Sequence, residues 1–246
     1  MGRVILSGAS KGMTKPTVGA PISELAVGST VRLSVNGTVT DFLIVNQGTP
    51  LSTNAIQYDS SCNGTWLLMK NIYENRVWQS GNINKYESSD IHTYLNNTFL
   101  NLFESNIKDA IKQVKIPYRK NGGSGGSGGS DQNGANGLLC KIFLLGGYEV
   151  DFTTFDSEDF PVDSAKLSYF ASGTGTSANN KRIANLNGSA AAWWLRSPRA
   201  SNADTVWGVY TNGDYFSSSA VNSRGIRPAL ILPSTLSVNK NGMVIA

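Results

Sequence analysis

Apolar and polar residues alternate in the stretch that follows the first 24 residues. Val31, Leu33 and Val35 recur at every second position up to Asn36-Gly37, and a second apolar run extends over residues 39–45. An Asn-Gly pair between two alternating runs is the strongest short-range signal for a β-hairpin. The pattern therefore predicts two antiparallel strands joined by a tight turn.

Other short apolar runs predict further strands. The predicted strands cover residues 65–69, 138–145, 193–195, 206–210, 215–219 and 226–232. The runs 206–210 and 215–219 flank Asn212-Gly213-Asp214, so they predict a second hairpin. In this hairpin we expect Trp207 and Thr205 to share one face while Val206 and Gly208 face inward. A slip of one residue in register would reverse that assignment.

Helical spacing follows Ser88 and Ser89, either of which can cap a helix. The apolar positions of this first predicted helix are Ile91, Tyr94, Leu95, Phe99, Leu102 and Phe103. A second short helix is predicted over residues 107–114 and ends before Pro117. Two helices, short and mostly antiparallel strands, and long loops together predict an α+β fold.

Composition divides the chain into an arm and one domain. Residues 1–24 are rich in Gly, Ser, Lys, Thr and Pro, so we expect an arm that serves assembly or attachment. Residues 25–246 are expected to form one ligand-binding domain. Within it, residues 121–130 carry a Gly-Gly-Ser repeat that predicts a flexible loop, either natural or engineered.

Charge and hydropathy exclude several functional classes. The 246 residues carry a net charge of +4 with Lys and Arg scattered, whereas a nucleic-acid-binding protein normally shows a basic stripe. Because no apolar run reaches 18 residues, we expect no membrane insertion. The N-terminus lacks a signal-peptide core, which predicts synthesis in the cytoplasm. Cys62 and Cys140 adjoin apolar runs, so two buried free thiols are favoured over a disulfide between them.

Candidate catalytic and metal-binding groups are few. The single histidine, His92, lies in the first turn of the predicted helix, where a surface or half-packed role is expected. One histidine and two distant cysteines cannot form a zinc site, and we expect neither a metal nor a cofactor. The one acidic cluster, whose spacing matches no calcium loop, comprises Glu149, Asp151, Asp156, Glu158, Asp159 and Asp163. A pair of these carboxylates is the basis of an alternative enzymatic interpretation.

The last third of the chain contains a polar-aromatic segment between two apolar brackets. The brackets are Trp193–Pro198 and Gly225–Leu232, and residues 199–224 between them are called the bracketed segment. Its mixture of Ser, Asn, Asp and Thr with large aromatics is typical of antibody paratopes. We expect Trp193 and Trp194 to point to opposite faces of a strand as framework. Arg196 and Arg227 are expected to pair with acidic groups or backbone carbonyls and so to fix the two brackets side by side.

The predicted ligand-binding set consists of the polar and aromatic side chains of the bracketed segment. It comprises Arg199, Ser201, Asn202, Asp204, Thr205, Trp207, Tyr210, Asn212, Asp214, Tyr215, Phe216, Ser217, Ser219, Asn222 and Arg224.

The two brackets together resemble the C-type-lectin-like variable proteins of diversity-generating retroelements, in particular a prophage and gut-phage group. Residues 62–68, 134–138, 143–150 and 181–184 are similar to the same group, so the resemblance spans roughly residues 25–235. It implies a C-type-lectin-like fold whose segment 199–224 is diversified by an error-prone reverse transcriptase. It also implies a phage tail-tip or virion-surface receptor-binding protein, often a trimer.

These observations together predict a non-enzymatic host-adhesion protein on the virion. We expect a homo-oligomer, most simply a trimer, that binds a host cell-surface protein or glycan. The N-terminal arm is expected to contact other virion or tail proteins. Two alternatives remain open: an enzyme on a formylglycine-generating-enzyme-like or carbohydrate-active scaffold that uses the acidic cluster, and a structural virion decoration protein.

Overall fold

The structure is a computed structural model that describes residues 19–51, 58–123, 129–152, 160–161, 163–171 and 175–246. The first strands are β1 (Ala20–Pro21), β2 (Thr30–Val35), β3 (Thr38–Gln47), β4 (Thr65–Met69), β5 (Glu74–Val77), β6 (Val114–Ile116), β7 (Tyr118–Lys120), β8 (Ser130–Gln132), β9 (Leu138–Cys140) and β10 (Ile142–Phe143). The later strands are β11 (Asn185–Leu186), β12 (Ser189–Ala190), β13 (Trp193–Pro198), β14 (Thr205–Val209), β15 (Tyr215–Ser219), β16 (Ser223–Ile226), β17 (Ala229–Leu232), β18 (Ser237–Val238) and β19 (Val244–Ile245).

The helices are short. They are α1 (Asp90–Asn97), α2 (Ser105–Ala110), α3 (Ser168–Ala171) and α4 (Gly175–Arg182). Single 3-10 turns occupy Ile22–Glu24, Ser60–Cys62, Tyr86–Ser88, Phe99–Leu102 and Gly134–Asn136. None of the helices in the described ranges has the length and apolar character that a membrane crossing requires.

The predicted α+β, C-type-lectin-like fold is wrong, because the protein is mostly β. Strands hold 36% of the residues and helices 20%, and the strands form several small sheets. The cap at Ser89 is confirmed, since its side chain accepts a hydrogen bond from the backbone N–H of His92. The helix nevertheless ends at Asn97, and the remaining apolar positions continue in a 3-10 turn. The second helix ends at Ala110, and Val114 lies in β6.

Tertiary contacts explain why the helical spacing produces so little helix. The side chain of Asn96 in α1 accepts hydrogen bonds from the backbone N–H groups of Lys141 and Ile142. The same side chain donates to the carbonyl of Ile142. Apolar residues three or four positions apart can also be buried on turns and strand ends, so their spacing overestimates helix length when sheet contacts dominate the packing.

Two five-stranded sheets form the body of the protein. The first, called the core sheet, has the order β10-β17-β4-β3-β2, and the second, called the hairpin sheet, has the order β15-β14-β13-β16-β5. In the core sheet, β2 and β3 form the predicted hairpin with Asn36 and Gly37 at positive φ (50° and 72°). That prediction is confirmed, and the two positive φ angles are those that a tight hairpin turn requires.

The predicted strand 138–145 is two strands in different sheets. β9 pairs with β6, whereas β10 pairs with β17 at the edge of the core sheet. The break falls at Lys141, whose backbone N–H is bound by Asn96. Cys140, next to the break, and Cys62 are both buried free thiols as predicted.

The start of the described chain is packed on the body. β1 pairs with β18, and Ile22 is fully buried. Residues 19–24, which the sequence assigned to the arm, are thus part of the folded unit, and residues 1–18 lie outside the described residues. Residues 124–128 of the Gly-Gly-Ser loop also lie outside them, and β7 and β8 pair with each other on either side.

Candidate ligand-binding surface

The bracketed segment supplies the edge of the hairpin sheet. It contains the loop after β13, the hairpin of β14 and β15, and the turn into β16. The hairpin prediction is confirmed, with Thr205 opposite Ser219 and Val209 opposite Tyr215. Directly opposite residues in an antiparallel pair share a face. The hairpin therefore has a face that carries Trp207 and Tyr215 and another that carries Gly208 and Phe216.

The face that carries Trp207 is mostly packed inside the protein. The ring of Trp207 stacks on Phe160 with a centroid distance of 4.3 Å and an angle of 18°, and only 7% of Trp207 is exposed. Tyr215 lies edge-on against Phe152 at 5.9 Å and is half-buried. Burial thus removes Trp207, which the sequence placed in the ligand-binding set, from the accessible surface.

The opposite side of the hairpin, called the Phe216 face, is more open. Tyr210 is 53% exposed and its ring lies 6.0 Å from that of Phe216. The guanidinium of Arg224 lies 5.9 Å from the Phe216 ring, and Trp194 lies underneath at 5.9 Å. Gly208 is required here, because a Cβ at this position would stand 2.6 Å from the Phe216 ring. The Phe216 face therefore presents aromatic rings and an arginine on the surface of the sheet.

Two residues outside the predicted ligand-binding set extend this face. Arg76 on β5 is directly opposite Arg224, and its guanidinium lies 3.4 Å from the ring centroid of Tyr94 on α1. The indole of Trp194 donates a hydrogen bond to the carbonyl of Arg76. No local pattern indicates this arrangement, because β5 and β16 are far apart in sequence.

The polar members of the predicted set form the rims of the hairpin, and several of them hold turns. The exposed residues are Ser201, Asn202, Asn212 and Asn222. The half-buried residues are Arg199, Asp204, Thr205, Asp214, Ser217, Ser219 and Arg224. The side-chain oxygen of Asn202 accepts from the N–H of Asp204, and that of Asn212 accepts from the N–H of Asp214. The predicted set therefore covers two faces and two rims, and one flat ligand cannot contact all of it.

A single buried side chain holds the loop between β13 and β14. The amide nitrogen of Asn84 donates to the carbonyls of Asn202 and Thr205 at 2.7 Å each and more weakly to that of Arg199. Its oxygen accepts from the N–H of Gly123, and its own N–H donates to the carbonyl of Ala203. Asn84 is fully buried and lies outside the bracketed segment. The loop is therefore fixed through its backbone.

The tip of the hairpin is held in a similar way. The guanidinium of Arg182, at the end of α4, donates to the carbonyl of Gly213 at 2.7 Å and to that of Val150. Gly213 has a φ of 80°, and a Cβ there would stand 2.0 Å from the carbonyl of Asn179. Arg182 also lies over the Phe152 ring. The tip is thus docked on α4 without the use of its exposed side chains.

The first bracket is anchored by a buried ion pair. Arg196 is bound to the carboxylate of Glu149, with 2.8 Å between Nη2 and Oε1, and both side chains are completely buried. Burial alone would lower the pKa of Arg196, but the charge and hydrogen bonds of Glu149 raise it above its ordinary value. The hydroxyl of Tyr58 also donates to Glu149. The predicted pairing of Arg196 with an acidic group and with backbone carbonyls is confirmed, but these partners lie outside the second bracket.

The second bracket uses backbone acceptors. Arg227 is buried, and its guanidinium donates to the carbonyls of Met69 and Lys70. Burial lowers its pKa to about 10. Trp193 and Trp194 are both fully buried and donate their indole N–H groups to different partners, Arg182 and Arg76. Both brackets are therefore framework, as the sequence predicted.

The acidic cluster on which the enzymatic alternative depends is divided. Glu149 is held by Arg196, Asp151 contacts Lys166, and Asp163 accepts a hydrogen bond from Ser197. Asp156, Glu158 and Asp159 lie outside the described residues. Within the ranges that the structure describes, no three His, Cys, Asp or Glu residues gather in a way that could hold a metal ion.

His92 is a packed helix residue. Its imidazole lies edge-on against the Tyr86 ring at a centroid distance of 5.1 Å, and Asn96 lies beside it on the same helix. Burial lowers its pKa to about 4, so the ring is neutral near pH 7. The expectation of a half-packed helix residue is confirmed.

Asp163 makes the stability of the protein depend on pH. Burial raises the pKa of this fully buried carboxyl to about 7, so the folded protein holds its proton more tightly than the unfolded chain does. The stabilisation is complete below the unfolded pKa near 4 and is lost as pH rises through 7. Between pH 5 and pH 8 we expect Asp163 to remove about 2 kcal/mol from the free energy of unfolding.

Urea unfolding of the wild type and of Asp163→Asn at both pH values measures this effect. His92 acts with the opposite sign, because its stabilisation is lost as pH falls from 6.5 towards 4, but it is common to both proteins and cancels in their difference. A difference between wild type and variant that stays constant from pH 5 to pH 8 would contradict the prediction.

Comparison with known proteins gives one family match. The family model described as "Domain of unknown function (DUF6273)" matches residues 63–234, a range that includes both brackets and the bracketed segment. No curated protein and no solved structure matched the chain. Nothing in these comparisons links the family to diversity-generating retroelements. Because the match covers more than half of the chain, the protein belongs to the DUF6273 family.

Proposed function

We propose that this protein is a binding protein rather than an enzyme, and that it recognises its ligand through the Phe216 face and the adjoining rims of the bracketed segment. The setting that we propose is host attachment by a phage virion, with a host cell-surface protein or glycan as the ligand. Residues 1–18, outside the described residues, would connect the domain to other virion proteins.

The observation that carries this proposal is how the bracketed segment is held. Asn84 and Arg182, which both lie outside the segment, bind its backbone carbonyls at the loop and at the hairpin tip. The exposed side chain of Tyr210 takes no part in these hydrogen bonds. A surface fixed through its backbone can change its exposed side chains and keep its shape, which suits a recognition site.

The chemistry of the surface agrees with this role. Tyr210 and Phe216 offer contact area with few rotatable bonds, and the Ser and Asn side chains offer adaptable hydrogen bonds. One such patch would bind weakly, and several copies in a homo-oligomer, for which we propose a trimer, would raise the avidity by about 10²–10⁴.

Binding measurements test the proposed surface. Tyr210→Ser combined with Phe216→Ser should weaken binding of the oligomer to cell-surface extracts of the host bacterium by at least about tenfold, since aromatic anchors dominate such interfaces. Leu139→Ser is the matched control, because Leu139 is also 53% exposed but lies on β9, outside the bracketed segment. Thermal unfolding of each variant checks that it is folded. Equal binding by all three proteins would overturn the proposal.

We also propose that the segment is diversified between related phages. The sequence resemblance is the only support for this part. Sequencing of the same locus in sibling phages or lysogens tests it. Substitutions should cluster between Pro198 and Gly225, and an even distribution along the gene would refute diversification.

A further inference from the structure

Two arginines stand opposite each other on the exposed side of the hairpin sheet. Arg76 and Arg224 are directly paired in the register of β5 and β16. Like charges at such positions destabilise a sheet. Glu74 forms an ion pair with Arg76 at 2.9 Å. Among the described residues Arg224 has no carboxylate partner, and its Nη1 donates to the carbonyl of Ser223. The pair therefore keeps one positive charge in excess.

Both guanidinium groups are held in place by aromatic rings. Arg76 lies 3.4 Å from the ring centroid of Tyr94, and Arg224 lies 5.9 Å from that of Phe216. Holding a charged group in its binding position before the ligand arrives lowers the entropy that binding costs. A planar guanidinium also matches the two oxygens of a carboxylate. The arrangement suits an anionic group that lies between the two arginines.

The surroundings of the arginines indicate the rest of the ligand. The Phe216 ring lies beside Arg224, and the exposed ring of Tyr210 lies edge-on against Phe216. The hydroxyl of Ser218 and the amide of Asn222 are hydrogen-bonded to each other on the same side of the hairpin. A fitting ligand therefore combines a negative charge, a flat apolar face and several hydroxyl groups.

We propose that the Phe216 face binds a carboxylated sugar, with the carboxylate at Arg76 and Arg224 and the ring against Phe216. The inference rests on the proposed function and names its ligand class. A sugar is favoured over an acidic peptide, because the three middle strands β14, β13 and β16 are paired on both sides and a peptide could pair its backbone only at the outer edges of β15 or β5. A sugar needs only ring faces and short polar side chains.

Titration calorimetry with glucuronic-acid and sialic-acid oligosaccharides tests the proposal. We expect binding at micromolar to millimolar concentration, a loss of about tenfold when the carboxylates are methyl esters, and a similar loss in Arg76→Gln and in Arg224→Gln. Arg32→Gln is the control, because Arg32 is also a strand arginine in an exposed ion pair, on the core sheet, and should leave binding unchanged. Added salt should weaken binding.

Several other results would contradict the sugar site, and one of them would also contradict the proposed function. Absence of binding, equal binding of acids and esters, or unchanged binding in both arginine variants would overturn the sugar site. Tighter binding of poly-glutamate than of the sugars would overturn it in favour of an acidic peptide. If the sugars do not bind, but the wild type retains host extract and the Tyr210/Phe216 variant does not, only this inference fails. If neither the sugars nor the extract binds, the proposed function fails as well.

Discussion

Replacement of Arg196 by methionine will lower the free energy of unfolding by about 3–5 kcal/mol. The change leaves the carboxylate of Glu149 buried without its cation, and the carbonyls of Pro117 and Leu144 lose their donor. Glu149→Gln should destabilise the protein by a comparable amount, because it leaves the guanidinium of Arg196 buried without its anion. Urea unfolding at neutral pH measures both effects.

Two further variants separate charge burial from loss of packing. In the double variant Arg196→Met, Glu149→Met we expect a cost smaller than the sum of the single costs, because neither buried charge remains. Arg119→Met breaks the more exposed ion pair with Asp131 and should cost about 1 kcal/mol or less. If Arg196→Met proves no more destabilising than Arg119→Met, the ion pair does not anchor the first bracket.

Replacement of Asn84 by leucine will destabilise the protein by about 3–4 kcal/mol, because it leaves several buried or partly buried backbone groups without partners. Those groups are the carbonyls of Asn202 and Thr205 and the N–H of Gly123. Urea unfolding measures the loss, and limited proteolysis should show faster cleavage within residues 199–205.

Asn136→Leu is the control for the same chemical change at an exposed asparagine, and it should alter stability by about 0.5 kcal/mol or less. The proposed function adds a second expectation: Asn84→Leu should weaken ligand binding although it changes no contact side chain. Full stability with unchanged proteolysis would show that the loop is held by other means.

The sequence predicted the features that local chemistry determines. Positive φ at Asn36 and Gly37 follows from the residue types, and so does the turn at Gly213. Alternation along a strand predicts that Trp193 and Trp194 point to opposite faces, and both are buried because each face is covered. Helix length and the fold class were mispredicted, because tertiary hydrogen bonds such as those of Asn96 end elements that periodicity alone would continue.

The candidate surface was only partly predictable. The composition of the bracketed segment located the hairpin. The burial of Trp207, however, depends on its stacking against Phe160, which is distant from it in sequence. The contribution of Arg76 depends on the pairing of β5 with β16, which joins distant parts of the chain. No pattern within a local window contains this information.

The strand order also has a consequence for how the protein is made. β4 and β5 are synthesised early, yet they pair with β17 and β16, which leave the ribosome among the last segments. Until then, the edge of the apolar strand β4 that will pair with β17 has no partner and can associate with other chains. We therefore expect a nascent chain that depends on chaperones until β17 emerges, and slow refolding of the full chain in vitro.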